Sequence, residues 1–418
     1  MIQWPVSVLH FSNSPVRAGV EEHILRLLQG LDRNRFHPLL VCPPELTQAL
    51  RRDLPADVEV FSLFLESPAQ GRAVRELARI LRERRVHILH SHQFRAALIA
   101  SPIGRWCGVP LNIETAHVRE KWRRGWLKGS YAIDRLADRF VDHYIAVSNA
   151  IARYLIDEKC LPSDKVTVIY NGCDVRRFSP EHRPPPGLKR SLGFEETDLV
   201  LLVLARLEPQ KGHHILFEGL PRVRAEFPNA RLVCAGEGEL RSSLEEQVRN
   251  LGLEEAVRFV GFQSNVEDWL ALAELTILPS FYEGLPVVAV ESLAAGRPVV
   301  ATAVDGTPEI VINGVTGLTV PAGEPQRLAE AICKFLRDPE LRARIGRAGR
   351  ERVLQAFSQE QQVENTEKLY LRSIEQRLMK KQVIEAAPAT DAGGEHKAIS
   401  RVTARSGLDG EPKKQATR

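Results

Sequence analysis

Short apolar runs separated by amphipathic stretches recur along this chain in two series, and that rhythm restricts the fold more than any single residue does. In the first series, strands are expected at Val6 to Phe11, Pro38 to Val41, Val58 to Leu63, Val86 to His90, Leu111 to Thr115, Tyr144 to Val147 and Val166 to Ile169. Helical patterns over 19–29, 73–84 and 148–156 lie between them, the last opening on Ser148 as an N-cap. Strands alternating with helices predict a parallel, doubly wound α/β sheet, whose ligands bind beyond the carboxyl ends of the strands.

A polar stretch containing Pro184, Pro185 and Pro186 separates the two series. Strands of the second are expected at Leu199 to Ala205, Arg231 to Ala235, Arg258 to Val260, Leu275 to Leu278 and Pro298 to Ala301, then a turn and a short strand within 313–320. A chain of 418 residues exceeds one ordinary core. The expected organisation is a Rossmann-like domain over 1–180, a linker over 181–187 and a second Rossmann-like domain over 188–358. A helix over 359–379 then returns to the first domain, and a tail over 380–418, without apolar period, is expected to be disordered. The two domains face each other across a cleft.

The net charge of +4 is small for this length, and no Lys/Arg stripe dominates a domain, which argues against nucleic acid as a partner. The six cysteines are scattered, with no Cys-x-x-Cys pair, as expected of reduced thiols in a cytoplasmic protein. The first ten residues lack the pattern of a signal peptide, and no apolar run approaches the roughly 20 residues of a spanning helix.

Five segments carry chemistry. In the stretch from Pro279 to Glu291 a buried strand ends, a turn holds Glu283, and a helix begins at Pro286, whose missing N–H suits a first helical position. The free amides of Val287 and Val288 then face an anion at the helix N-terminus, with Glu283 and Glu291 on either side. Such a site fits a diphosphate with hydroxyl groups at both ends, although a cap and a solvated helix face would leave the same two glutamates. At the end of another strand come Arg206 and Lys211, two cations able to grip a diphosphate, with Gly212 permitting close approach. Gly19 opens the first helix, either for a phosphate or sugar or simply as a helix-start glycine. His117 follows a strand and faces the cleft, where a hydrogen-bonded structural histidine is the alternative. His90 and His92 end another strand and are read as cleft lining. No third ligand and no Asp-x-Asp accompany them, so no metal site is expected.

The Glu-x7-Glu pair, the Arg-x4-Lys pair and the segments around Gly19, His117, Ser148 and Asn171 together resemble glycosyltransferase family 4 over roughly residues 5 to 375. The resemblance implies the GT-B fold of two facing Rossmann-like domains. It also implies transfer of a hexosyl group from a nucleoside diphosphate sugar (UDP- or GDP-linked) to a hydroxyl of a saccharide or lipid-linked acceptor. Retention of anomeric configuration, no cofactor and no essential metal come with it. On the matching positions, Arg206 and Lys211 neutralise the departing diphosphate, Glu283 binds donor-sugar hydroxyls and Glu291 the ribose. His117 orients the sugar, Phe262 lies by the base, and Gly19, Leu285, Val287 and Val288 line the donor site. The family usually has a second glycine where this chain has Ala18. A nucleotide-sugar epimerase, a phosphorylase or a non-catalytic sugar-nucleotide binder are the alternatives. Trp122 and Trp126, among the cations of the segment from Arg119 to Lys128, suit contact with the inner face of a membrane or packing into the first domain.

Overall fold

The computed structural model describes residues 4–120 and 129–386. Two fully parallel sheets organise it. The first contains β1 (Val6–Phe11), β2 (Phe36–Cys42), β3 (Glu59–Ser62), β4 (Ile88–His92), β5 (Leu111–Ala116), β6 (His143–Ala146) and β7 (Val166–Val168), in the order β3-β2-β1-β4-β5-β6-β7. The second contains β8 (Leu199–Leu204), β9 (Ala230–Ala235), β10 (Val257–Gly261), β11 (Leu275–Leu278), β12 (Val299–Thr302) and β13 (Gly317–Val320), in the order β10-β9-β8-β11-β12-β13. Each order reverses direction once, between β1 and β4 and between β8 and β11. Those two reversals open crevices at the strand ends, where doubly wound sheets bind ligands.

The strand interiors explain why these segments pair in the middle of a sheet. Val8, Leu9, Leu39, Leu40, Ile88 and Leu89 in the first sheet, and Leu201, Leu202, Ile277 and Val300 in the second, have no exposed surface. Runs apolar on both faces need helices above and below, which the intervening segments supply. One apolar cluster crosses from Ala146 and Val147 in the first domain to Leu285, Val290 and Ile310 in the second. The two domains therefore share core rather than merely touching.

Several boundaries differ from expectation. β4 continues through His92, because the histidines are buried among other side chains instead of ending the strand in solvent. The helix expected over 148–156 is α-helical only over Asn149–Arg153 and then widens to a π-turn over Tyr154–Glu158. The last helix, Gln359–Ala386, is longer than its apolar pattern predicts. It returns to the first domain as expected: the Tyr370 hydroxyl lies 2.5 Å from His90 Nδ1, and Glu367 accepts from the Asp32 amide at 2.7 Å. The expected tail beyond 386 and the tryptophan-containing stretch 121–128 lie outside the described residues.

Candidate active site at the domain seam

The second domain contributes charge. Lys211 stands at the end of the loop after β8, just before Gly212, whose φ of +66° and contact with Pro279 O leave no room for a side chain. That close approach brings the β8 loop against the β11 loop. Lys211 Nζ is 2.6 Å from Glu283 Oε1, and the same oxygen accepts from Ser280 Oγ at 2.8 Å. The Glu283 amide donates to Asp305 Oδ2 at 3.1 Å, which fixes the turn. Arg206 pairs with Glu208 on its own loop and remains partly exposed.

Helix Val287–Ala294 begins beside this pair. Pro286 is its N-cap, one position earlier than the first-turn place expected for it, with φ −70° and ψ 109°. Ala289 makes the first return bond, to Pro286 O at 3.1 Å. The Val287 and Val288 amides are thus among the donors that a helix start leaves without an intrahelical acceptor. A small cavity of about 60 Å³ lies there, lined by Lys211, Ser280, Glu283, Val287 and Val288 among others.

The first domain contributes mostly neutral groups. Gly19 opens helix Gly19–Gly30, and a Cβ on it would touch Val287 Cγ2 at 3.6 Å, so the two helix starts face each other. Glu21 caps that helix, its Oε2 accepting from the Ala18 amide at 3.0 Å. Its other oxygen is buried without a hydrogen-bond partner, and burial pushes its pKa up to about 7 despite the nearby Arg206. Register explains the histidines. His10 of β1 pairs with His90 of β4, His92 pairs with Thr115 of β5, and His117 follows two residues later. His10, His90, His92 and His117 thus gather at one crevice, and His23 reaches them from the first helix. Burial lowers the pKa of all five, to about 3 for His10 and about 4 for His23.

Not every expected residue stands at this crevice in the expected way. Glu291 Oε1 is 2.6 Å from Arg26 Nη2 of the first domain, with both side chains under a tenth exposed. Its pKa is raised by burial, against the pull of that arginine. Leu285 buries its side chain in the shared core, and its carbonyl accepts from Asn171 Nδ2 at 3.3 Å. Phe262, just past β10, is more than half exposed. Lys211, Glu283, Val287 and Val288 do share one small cavity, and Gly284 packs directly on the His117 carbonyl.

Sequence reasoning missed Glu21, His23, Arg26 and Asp305. Asp305 carried a faint signal as a polar residue after a strand, and the structure adds a φ of +42°, rare outside glycine. The other three lie on a helix whose apolar stripe is ordinary, and nothing along the chain tells that its second face is covered too.

The family described as Glycosyltransferase Family 4 matches residues 17–177, and the family described as Glycosyl transferases group 1 matches residues 187–352. A glycogen synthase of Mycobacterium tuberculosis is 33% identical over 296 residues, 69% of this chain and 69% of the relative. The chain belongs to the family-4 glycosyltransferases. An Escherichia coli protein named UDP-Gal:alpha-D-GlcNAc-diphosphoundecaprenol alpha-1,3-galactosyltransferase is 22% identical over 88% of this chain and 97% of its own length. Among solved structures, Anabaena HepE in complex with UDP and glucose superposes with a TM-score of 0.77 at 22% identity, covering 88% of this chain and 100% of that one. Glycosyl transfer is therefore the activity class, on a GT-B framework of two Rossmann-like domains.

Proposed function

We propose that this glycosyltransferase moves a hexosyl group from a UDP-sugar to a hydroxyl of a saccharide or lipid-linked acceptor, with retention of anomeric configuration. The observation that carries the reading is the Lys211–Glu283 pair set beside the open amides of Val287 and Val288, at the reversal point of the second sheet. In the free protein the two side chains neutralise each other. A bound donor divides them: phosphate oxygens take Lys211 and the helix amides, and sugar hydroxyls take Glu283. Arg206 then exchanges Glu208 for phosphate. Charge that grows on the departing diphosphate meets fixed cations and N–H dipoles, which stabilises it without reorganisation at the moment of reaction. With that charge met by side chains, no metal is required at the diphosphate.

UDP is favoured over GDP because the Anabaena neighbours were solved with UDP, UDP and glucose, or UDP-glucose, and because the Escherichia coli relative is named for a UDP donor. His117, whose carbonyl rests on Gly284, lies where the sugar leaves the second domain. Glu291 has one oxygen on Arg26, so a ribose hydroxyl binds its other oxygen or displaces the arginine. No observation favours epimerisation, phosphorolysis or binding alone.

A panel of UDP-glucose, UDP-galactose, UDP-N-acetylglucosamine and GDP-mannose, read by thermal shift and by nucleotide release with acceptor, tests the assignment. A UDP-sugar at 100 times its dissociation constant should add about 2.7 kcal/mol of stability. Absence of any shift with all four donors would overturn the reading. A lipid-linked acceptor would be reached by the Trp122/Trp126 stretch. Ile133 and Leu136 are exposed on the helix Tyr131–Ala137, which follows it in sequence. Among the described residues no helix is long and apolar enough to cross a membrane, so the contact would be peripheral. Vesicle sedimentation of wild type against Trp122→Ala/Trp126→Ala decides it; equal binding removes the proposal.

A further inference from the structure

Along the chain His90 and His92 have no third ligand, but folding supplies several. His92 lies between two other imidazoles, its Nε2 3.1 Å from His10 Nδ1 and its Nδ1 3.3 Å from His117 Nε2. His23 approaches the same place from the first helix, its ring centre 4.7 Å from that of His117 and 5.5 Å from that of His92. One ring nitrogen each of His23, His92 and His117 falls within 4.8 Å of the other two.

Hydrogen bonding fixes which nitrogens are available. His23 Nδ1 is 2.9 Å from Asn171 Oδ1, and Asn171 Nδ2 reaches Leu285 O, which sets the direction of the amide. Gln362, whose Oε1 accepts from the Gly172 amide at 2.7 Å, brings its Nε2 to 3.1 Å from the same nitrogen. The shorter contact assigns the Nδ1 proton to Asn171, and Nε2 then presents a bare lone pair. That Nε2 is buried and has no hydrogen-bond partner, and in the opposite tautomer it would be an N–H with no acceptor. His90 is committed elsewhere, to the Tyr370 hydroxyl at 2.5 Å and Thr115 Oγ1 at 2.6 Å.

We propose that His23, His92 and His117 bind a divalent transition-metal ion of the zinc class in the wall of the first domain. Metal–nitrogen bonds of about 2.0–2.1 Å in tetrahedral geometry set ligand nitrogens ~3.3 Å apart and ring centres ~5 Å apart. The observed centre distances of 4.7, 5.5 and 5.6 Å bracket that spacing, and the His92–His117 nitrogens stand at 3.3 Å. A chain of hydrogen-bonded neutral imidazoles explains only part of the cluster. One proton shared by His92 and His117 satisfies that edge and leaves His23 Nε2 unmatched. A metal uses all three lone pairs, and Asn171 on the far nitrogen of His23 is the kind of outer partner that orients a ligating imidazole. Imidazole donors without carboxylate favour zinc, copper or nickel over magnesium or calcium. The ion would sit at the carboxyl ends of β4 and β5, apart from the diphosphate cradle on the second domain.

The test uses the full-length protein and the metal alone. Wild type purified from zinc-supplemented medium and dialysed against metal-free buffer is expected to retain about one equivalent of zinc. Cobalt(II) loaded in its place should give the strong visible bands of a four-coordinate ion, and X-ray absorption should count three imidazoles. His23→Gln and His92→Gln should each weaken zinc binding at least about tenfold, whereas His90→Gln should retain it. Wild type with negligible zinc and no cobalt bands overturns the proposal. So does zinc that survives both substitutions, or that is lost only with His90→Gln. If the variants fail to fold, ligand counting on wild type decides alone. None of these readouts involves sugar transfer, so this site and the transferase reading can fail independently.

Discussion

The two walls of the cleft solve opposite problems. The second domain holds its functional groups charged, in the pairs Lys211–Glu283 and Arg206–Glu208 beside a helix N-terminus. The first domain holds five histidines and Glu21 in places where burial disfavours the charged form. An anion needs the first kind of wall. A hydroxyl-bearing acceptor and an uncharged sugar suit the second, which offers neutral hydrogen-bonding groups. The contrast teaches that a parallel sheet end is not polar in one way: the loops after the strands decide its electrostatics.

The buried pair Arg26–Glu291 crosses the boundary, and it is the most direct place to break the comparison. Arg26→Ala leaves Glu291 buried without its cation and is expected to destabilise the protein by about 3–5 kcal/mol in urea unfolding. Arg26→Met/Glu291→Met, which removes both charges, should recover most of that loss. A smaller but still large effect is expected on turnover. Lys211→Ala or Glu283→Ala should fold and lose at least about a hundredfold in kcat, on the order of 3 kcal/mol of transition-state stabilisation. Near-normal kcat in either variant would remove the charged wall from the mechanism.

His213 sharpens the contrast because it is a neutral group on the charged side, next to Lys211. Burial, reinforced by Lys211, lowers its pKa from 6.5 to about 4. Between those values the unfolded chain binds the proton and the folded one does not, so stability falls as pH drops through that window. The His213→Gln variant should lack up to about 1.4 kcal/mol per pH unit of that slope, measured by urea melts across pH. The smallest effect is expected at Phe262, which is mostly exposed. Phe262→Ala should raise the donor KM a fewfold and leave stability within about 0.5 kcal/mol.

The sequence made the charged wall legible and the neutral one largely not. Arg206, Lys211, Glu283 and Val287 each lie in the loop or helix start that follows a strand, so strand–helix alternation placed them before any contact was known. His23 and Arg26 depend on which face of a helix is covered from outside its own domain, and Glu21 on a cap that closes backward onto Ala18. Glu291 illustrates the limit within a single motif. Its spacing from Glu283 was visible, but its partner lies 265 positions away in the chain. Pro286 and His92 show the ordinary error of a residue or two at element ends.

The chain passes between the domains twice, and the two passages are stitched to each other. The Cys173 amide donates to Phe357 O at 3.0 Å, the Gln359 amide donates to Cys173 O at 2.9 Å, and a Cβ on Gly172 would lie 2.2 Å from Ser358 O. Two stretches of backbone bonded side by side resist sliding, because a shift along either one would break both bonds. A rotation about Gly172–Cys173 and Phe357–Gln359 would preserve these bonds, whereas translation of one domain past the other would break them.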